Sequence, residues 1–117
     1  MSISITGVGI TSAIGMNLKE NLDSLQNLKS GISKIELISG LKENFLGGEI
    51  KFTDKELSFI AFGKNKKETL PRSLLLSLIS AKEAWGENTI NSKIRTVIIG
   101  ATTVGGMDLS EKCLEKD

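Results

Sequence analysis

Two apolar runs that each end in glycine stand at opposite ends of the chain. The first is Ser2-Ile3-Ser4-Ile5-Thr6-Gly7-Val8-Gly9-Ile10-Thr11-Ser12-Ala13-Ile14-Gly15, and the second is Arg95-Thr96-Val97-Ile98-Ile99-Gly100-Ala101-Thr102-Thr103-Val104-Gly105-Gly106-Met107. Short apolar runs closed by glycine predict buried strands that end in turns. Residues 2–9 therefore read as a buried strand leading into a turn at 11–15, and Thr96-Val97-Ile98-Ile99 as a fully buried one. A strand apolar on both faces needs covering layers, and the chain between the runs carries helical patterns. Strand, helices, strand is the order of an α/β fold.

The first helical pattern places Leu18, Leu22, Leu25 and Leu28 at helical spacing, with Asn17 as N-cap and Glu20 three residues later in the manner of a capping box. The leucine face is expected to pack inward while Lys19, Glu20 and Asp23 stay wet, and Ser30-Gly31 to end the helix. From Ile32 to Gly48 the apolar residues fit neither period. Glu49-Ile50-Lys51-Phe52 reads as a short alternating strand, and Asp54 as the cap of a short helix bearing Leu57, Phe59, Ile60 and Phe62.

After a polar, lysine-rich loop from Gly63 to Thr69, Pro71 introduces a helix over 73–85. Leu75, Leu78, Ile79, Lys82 and Trp85 trace one face; Ser77, Ser80, Ala81 and Ala84 make a neighbouring face small enough for another element to approach. A helix covered on more than one side suits the interior of a layered α/β structure. Glu87 to Lys93 is a polar connection, and the segment from Asp108 to Asp117 has helical composition.

The residue inventory removes whole classes of chemistry. Histidine is absent, so no Ser-His or Cys-His pair, histidine metal site or imidazole base is available. A single cysteine, Cys113, allows no intrachain disulfide and no thiolate zinc cluster, and fits a reducing, cytoplasmic compartment. Fifteen basic and fourteen acidic residues leave a net charge of +1, without the basic excess that nucleic-acid binding draws on. No signal-peptide pattern opens the sequence, and no run approaches the roughly 18 apolar residues of a membrane span.

Three features of the sequence bear on chemistry. Gly7-Val8-Gly9 after a strand is the start of a dinucleotide-binding turn, yet position 12, where a third glycine belongs, holds Ser12. Thr102-Thr103-Val104-Gly105-Gly106 ends a strand where ligands approach α/β sheets, without an accompanying titratable group. Cys113 has Lys112 and Lys116 nearby, but Glu111 and Glu115 flank it too, and its spacing from Leu109 predicts a packed thiol rather than a nucleophile.

Taken in order, these segments resemble a known family. Ile5-Thr6-Gly7-Val8-Gly9-Ile10 is similar to the opening strand and turn of the β-ketoacyl synthases, where Thr-Gly-x-Gly leads through a loop into a leucine-bearing helix. Lys29-Ser30-Gly31-Ile32 resembles the short Gly-(Lys/Arg)-Ser-Gly-Ile element that follows, with Leu28 in place of its first glycine. Arg72 and Ser80-Ala81-Lys82-Glu83-Ala84-Trp85 resemble the family's arginine and alanine-rich helix, and Val97-Ile98-Ile99-Gly100 with Val104-Gly105-Gly106-Met107 its next strand and glycine pair.

The resemblance implies a partial thiolase-like α/β fold, residues 1–117 forming much of the first of two similar halves as the amino-terminal portion of a β-ketoacyl synthase domain. Family members are acyltransferases of fatty-acid or polyketide-type synthesis. They condense an acyl group with malonyl carried on acyl carrier protein, using a cysteine nucleophile and two histidines. Those three positions lie beyond this sequence, so the chain by itself is expected to be inactive. Val104 matches a position bordering the acyl pocket in some relatives and is the one substrate-binding residue carried over. The implied partners are acyl carrier protein, acyl and malonyl thioesters and a second ketosynthase-like subunit, as homodimer or heterodimer; no cofactor or metal is expected. A noncatalytic ketosynthase-like partner and a nucleotide-binding module remain the alternatives.

Overall fold

The computed structural model describes residues 2–41, 44–63, 70–87, 95–103 and 105–114. Along them run α1 (Leu18–Gln26), β1 (Ile32–Lys34), β2 (Leu46–Gly48), α2 (Asp54–Phe62), α3 (Arg72–Trp85) and α4 (Met107–Leu114). The content is mixed α/β. The strands form an antiparallel hairpin with Ile32 opposite Gly48 and Lys34 opposite Leu46.

The core lies between α2 and α3, where Leu57, Ala61, Leu75 and Ile79 are buried and Met16, Phe52, Phe62, Leu70, Leu76 and Leu78 pack around them. Leu57 is 0% and Leu75 2% exposed; burying a leucine this fully contributes about 1.5–3 kcal/mol. Helix α2 starts in a complete capping box, with Thr53, rather than Asp54, as the N-cap and Glu56 reaching back to it. It stops at Gly63, whose φ of 69° lets its N–H reach the Phe59 carbonyl at 2.7 Å. Lys82 of α3 donates to the Ala61 carbonyl in the last turn of α2, satisfying an acceptor that the helix itself leaves open.

Helix α1 inverts its expected face. Asn17 caps it as predicted, accepting from the Glu20 N–H, and Lys19, Glu20 and Asp23 are exposed. Its buried residues, however, are Asn21 and Ser24, whereas Leu22, Leu25 and Leu28 face outward. The loop before the helix supplies the reason. Asn21 donates to the Gly15 and Asn17 carbonyls and accepts from the Ser12 hydroxyl, and Ser24 donates to the Ile14 carbonyl. Half-buried loop carbonyls need donors, which a leucine side chain lacks.

The two glycine-closed runs are not the buried strands expected of them. Residues 2–9 and 96–99 join no ladder, and all but the half-buried Gly9 are exposed, Ile3 at 94% and Ile98 at 91%. The first run nevertheless has a fixed course. A Cβ on Gly7 would stand 1.9 Å from the Ala84 oxygen, and one on Gly9 1.9 Å from the Ser80 oxygen. Two residues of extended chain span about 6–7 Å, close to the rise of one helical turn. Residues 7–9 thus run extended and antiparallel along α3, on the small face formed by Ser80 and Ala84. Without neighbouring strands, a strand-forming sequence has nothing to pair with.

Other expectations shift more modestly. The hairpin falls at 32–34 and 46–48, so Glu49 to Phe52 lies just after a strand rather than in one. Helix α1 ends at Gln26 instead of reaching Ser30, and the turn beyond it holds Leu28 at φ 52°. Lys64 to Thr69, most of the 87–93 connection and residues 115–117 lie outside the described residues.

Two stability predictions follow from these backbones. Leu28 pays for a left-handed conformation worth roughly 1–2 kcal/mol to a residue with a Cβ, so Leu28→Gly is expected to stabilise the protein by about 0.5–1 kcal/mol after glycine's larger unfolded-state entropy is subtracted. A lower urea midpoint for Leu28→Gly would contradict the assigned turn. Gly9→Ala forces a methyl into the Ser80 carbonyl and is expected to destabilise by about 1–3 kcal/mol, read as an earlier denaturation midpoint with the helical circular-dichroism signal at low denaturant retained.

Candidate functional site

Two regions bring polar side chains together from distant parts of the sequence. The first joins the amino-terminal run to α3. Glu83 accepts from the Ile10 N–H at 2.9 Å through one carboxylate oxygen and from the Leu18 N–H at 2.7 Å through the other. Leu18 opens α1, so this carboxylate meets both an otherwise unpaired helix amide and the positive end of the helix dipole. Beside it, Ser80 donates to the Thr11 hydroxyl at 2.8 Å. The region is a clamp, and its hydrogen-bonding capacity is spent on holding chain to chain.

The second region is an open groove of about 550 Å³, walled by Ile35, Leu37, Ile38, Ile50 and Leu76, with Glu49, Thr53, Asp54 and Arg72 as its polar lining. An arginine in such a groove invites an anion-binding reading. Its donors are engaged within the protein: Nη1 donates to the Phe52 carbonyl at 2.8 Å and to Asp54 at 2.9 Å, and Nη2 to the Ile50 carbonyl at 2.7 Å. Arg72 ties the segment before α2 to the start of α3.

Glu49 is committed in the same way. It accepts from the Glu36 N–H at 2.8 Å and the Leu37 N–H at 2.9 Å, and pairs with Lys51 at 3.1 Å. Its side chain is only 10% exposed. The Glu36 amide, then the Leu37 amide and Lys51, hold its carboxyl below the ordinary 4.5 against the opposing effect of partial desolvation. Desolvation pulls Lys51 down, but Glu36 and Glu49 outweigh it and raise the ammonium above its ordinary 10.5. Lys51 also donates to the Lys34 carbonyl, closing the clasp across the hairpin.

The features singled out in the sequence are dispersed. Gly7 and Gly9 present their open sides to α3 carbonyl oxygens, which would repel a phosphate rather than cradle it. Cys113 is exposed, which corrects the expected packed thiol. Gly105 approaches the Thr102 side chain, while Val104, the one substrate-binding residue carried over, lies outside the described residues. Among the described residues no cluster of three His, Cys, Asp or Glu could hold a metal. No helix among them is long and apolar enough to cross a membrane.

Glu83, Glu49 and Asn21 were missed as structural ties. Only Asn21 left a signal: with Ser24 it repeats at i, i+3 on a face between the leucines. The two glutamates act on backbone amides 65 or more and 12–13 residues away, which no local pattern records.

No protein-family model matches the sequence, no curated protein matches it, and no solved structure matches the fold.

The clasp makes a pH prediction. The carboxyls of Glu49 and Glu56 both lie below 4.5 in the folded protein, the latter through hydrogen bonds from the Thr53 hydroxyl and amide. A depressed carboxylate contributes stability that is fully present above its unfolded value and is lost as pH falls through its folded one. Stability is therefore expected to be level from neutral pH to about 4.5 for these groups and to decline below it. Glu49→Gln is expected to lower the thermal midpoint at neutral pH and to flatten the acid decline. An unchanged midpoint with an equally steep decline would show that the clasp does not form.

Proposed function

We propose that residues 1–117 form the amino-terminal portion of a β-ketoacyl synthase domain, a partial thiolase-like unit contributing to decarboxylative condensation of acyl and malonyl thioesters carried on acyl carrier protein. The observation that carries this reading is Leu28. The family element that Lys29-Ser30-Gly31-Ile32 resembles begins with glycine, and the residue standing there has φ 52°, the left-handed backbone that glycine supplies without strain. Backbone conformation and family pattern meet at a residue whose own type favours neither.

Two further features support it. Gly7 and Gly9, which match the Thr-Gly-x-Gly opening, sit where any side chain would strike α3. Both glycine-closed runs are apolar yet unpaired, as expected of strands whose sheet is completed by the remainder of a larger fold. In that fold Val104 would border the acyl pocket, and the nucleophilic cysteine and two histidines would come from beyond Asp117. This chain's part is architectural: strand, turn and α3 set the wall on which the reacting groups are mounted.

The purified chain is expected to show neither acyl transfer from acyl carrier protein nor release of carbon dioxide from a malonyl thioester; turnover without added protein would overturn the assignment of catalysis to residues outside it. The decisive observation is the intact mass of the native product together with the reading frame past the codon for Asp117. A longer product carrying the cysteine and both histidines supports the condensing-enzyme reading, and one lacking the cysteine supports a noncatalytic ketosynthase-like partner. A native product ending at Asp117 rules out family catalysis.

A further inference from the structure

The turn at 12–15 and α1 form one local unit. Asn21 and Ser24 bind the Gly15, Asn17 and Ile14 carbonyls and the Ser12 hydroxyl, and Glu20 accepts from the Met16 N–H at 2.7 Å. The helix has little hold elsewhere: no α1 residue stands among the side chains that form or surround the core between α2 and α3.

The ties from this unit to the rest of the protein are few. Met16 packs against the core, and Ala13 lies beside Gly48 of the hairpin. Ser80 holds Thr11, and the two oxygens of Glu83 hold the Ile10 and Leu18 amides through exposed hydrogen bonds. A gap of about 320 Å³ separates Ala13, Met16 and Glu20 on one side from Ile50, Phe52 and Ile60 on the other. Exposed hydrogen bonds with little apolar burial mark the parts of a protein that open well below the global unfolding free energy.

We infer that residues 7–26 are a strap that opens as one piece, the amino-terminal run, the turn and α1 leaving α3 together with the Glu83 carboxylate as the catch, while α2 and α3 stay closed. The coupling lies in that carboxyl group, which holds one amide on each side of the turn. Between those amides the turn is hydrogen-bonded to α1, so the run cannot lift from α3 without drawing on the start of the helix. Once drawn off, α1 is nine residues long, too short to hold a helix alone, and opening melts it. The strap follows from these contacts and does not rest on the family reading.

Native-state amide hydrogen exchange of the full chain across low urea concentrations tests it. In the wild type the amides of Ile10, Leu18, Leu22 and Leu25 are expected to share one opening free energy and one urea slope, both smaller than those of Ala61 and Ile79. Gly9→Ala strikes α3 at Ser80 and does not touch α1. It is nevertheless expected to speed exchange at Leu22 and Leu25 by the same factor as at Ile10, roughly tenfold. Glu83→Ala, which strips Ile10 and Leu18 of their acceptor, is expected to speed Leu22 and Leu25 as well. Ser80→Ala, which removes the hydrogen bond to Thr11, is read in the same way where Gly9→Ala does not fold. Unchanged exchange at Leu22 and Leu25 in these variants would show that α1 opens without the run. A free energy and slope shared with Ala61 and Ile79 in the wild type would show that the strap does not open apart from the core. Either result overturns the inference.

Discussion

Contact between Leu57 and Ala61 of α2 and Leu75 and Ile79 of α3 is the constraint on which the rest of the described structure depends. These four are the buried apolar side chains among the described residues. At about 1.5–3 kcal/mol for each large one, they cannot order a chain of this length unaided, since fixing each residue's backbone costs about 1–2 kcal/mol. What they do is make α3 a rigid rod, and everything else is positioned by reference to it.

Three charged side chains of α3 then attach neighbouring segments to that rod. Arg72 at its start gathers the Ile50 and Phe52 carbonyls and Asp54, fixing the entry to α2. Lys82 covers an open carbonyl at the end of α2. Glu83, close by on the same helix, binds two amides from the amino-terminal part. Cation to carbonyl and carboxylate to amide are charge-assisted pairings, stronger than neutral ones. They suit a structure with little apolar burial, because each orders a segment without a second core. The cost is that these charges are used up internally, which is why the groove beside Arg72 and the clamp around Glu83 are joints rather than reactive centres.

Legibility in the sequence followed how local each signal was. The two interior helices were readable, α3 within a residue and α2 from the spacing of Leu57, Phe59 and Ile60. So was the Asn17 cap, because capping is settled within a single turn. The facing of α1 was not: leucine spacing predicts an apolar face toward a core, but the nearest demand was for donors to the Gly15, Asn17 and Ile14 carbonyls, met by Asn21 and Ser24. The short hairpin was hidden because Ile32-Ser33-Lys34 and Leu46-Gly47-Gly48 carry almost no alternation of their own. It is held partly from outside by Glu49 and Lys51.

The strands at 2–9 and 96–99 teach a different lesson. Val97-Ile98-Ile99 is apolar on both faces, whereas residues 2–9 place Ile3, Ile5, Gly7 and Gly9 on one face and Ser2, Ser4, Thr6 and Val8 on the other, and α3 presents to this first run a small surface at Ser80 and Ala84 into which Gly7 and Gly9 fit. That match would be pointless for a loose tail, since glycines carry an entropic penalty and a close backbone approach demands two surfaces shaped together. A strand is completed by its neighbours as much as by its own residues. Backbone amides and carbonyls left bare along an apolar, uncharged edge are a demand for a partner strand. The sequence meets that demand on one face, with α3, and leaves the hydrogen-bonding edge to be met by another chain segment.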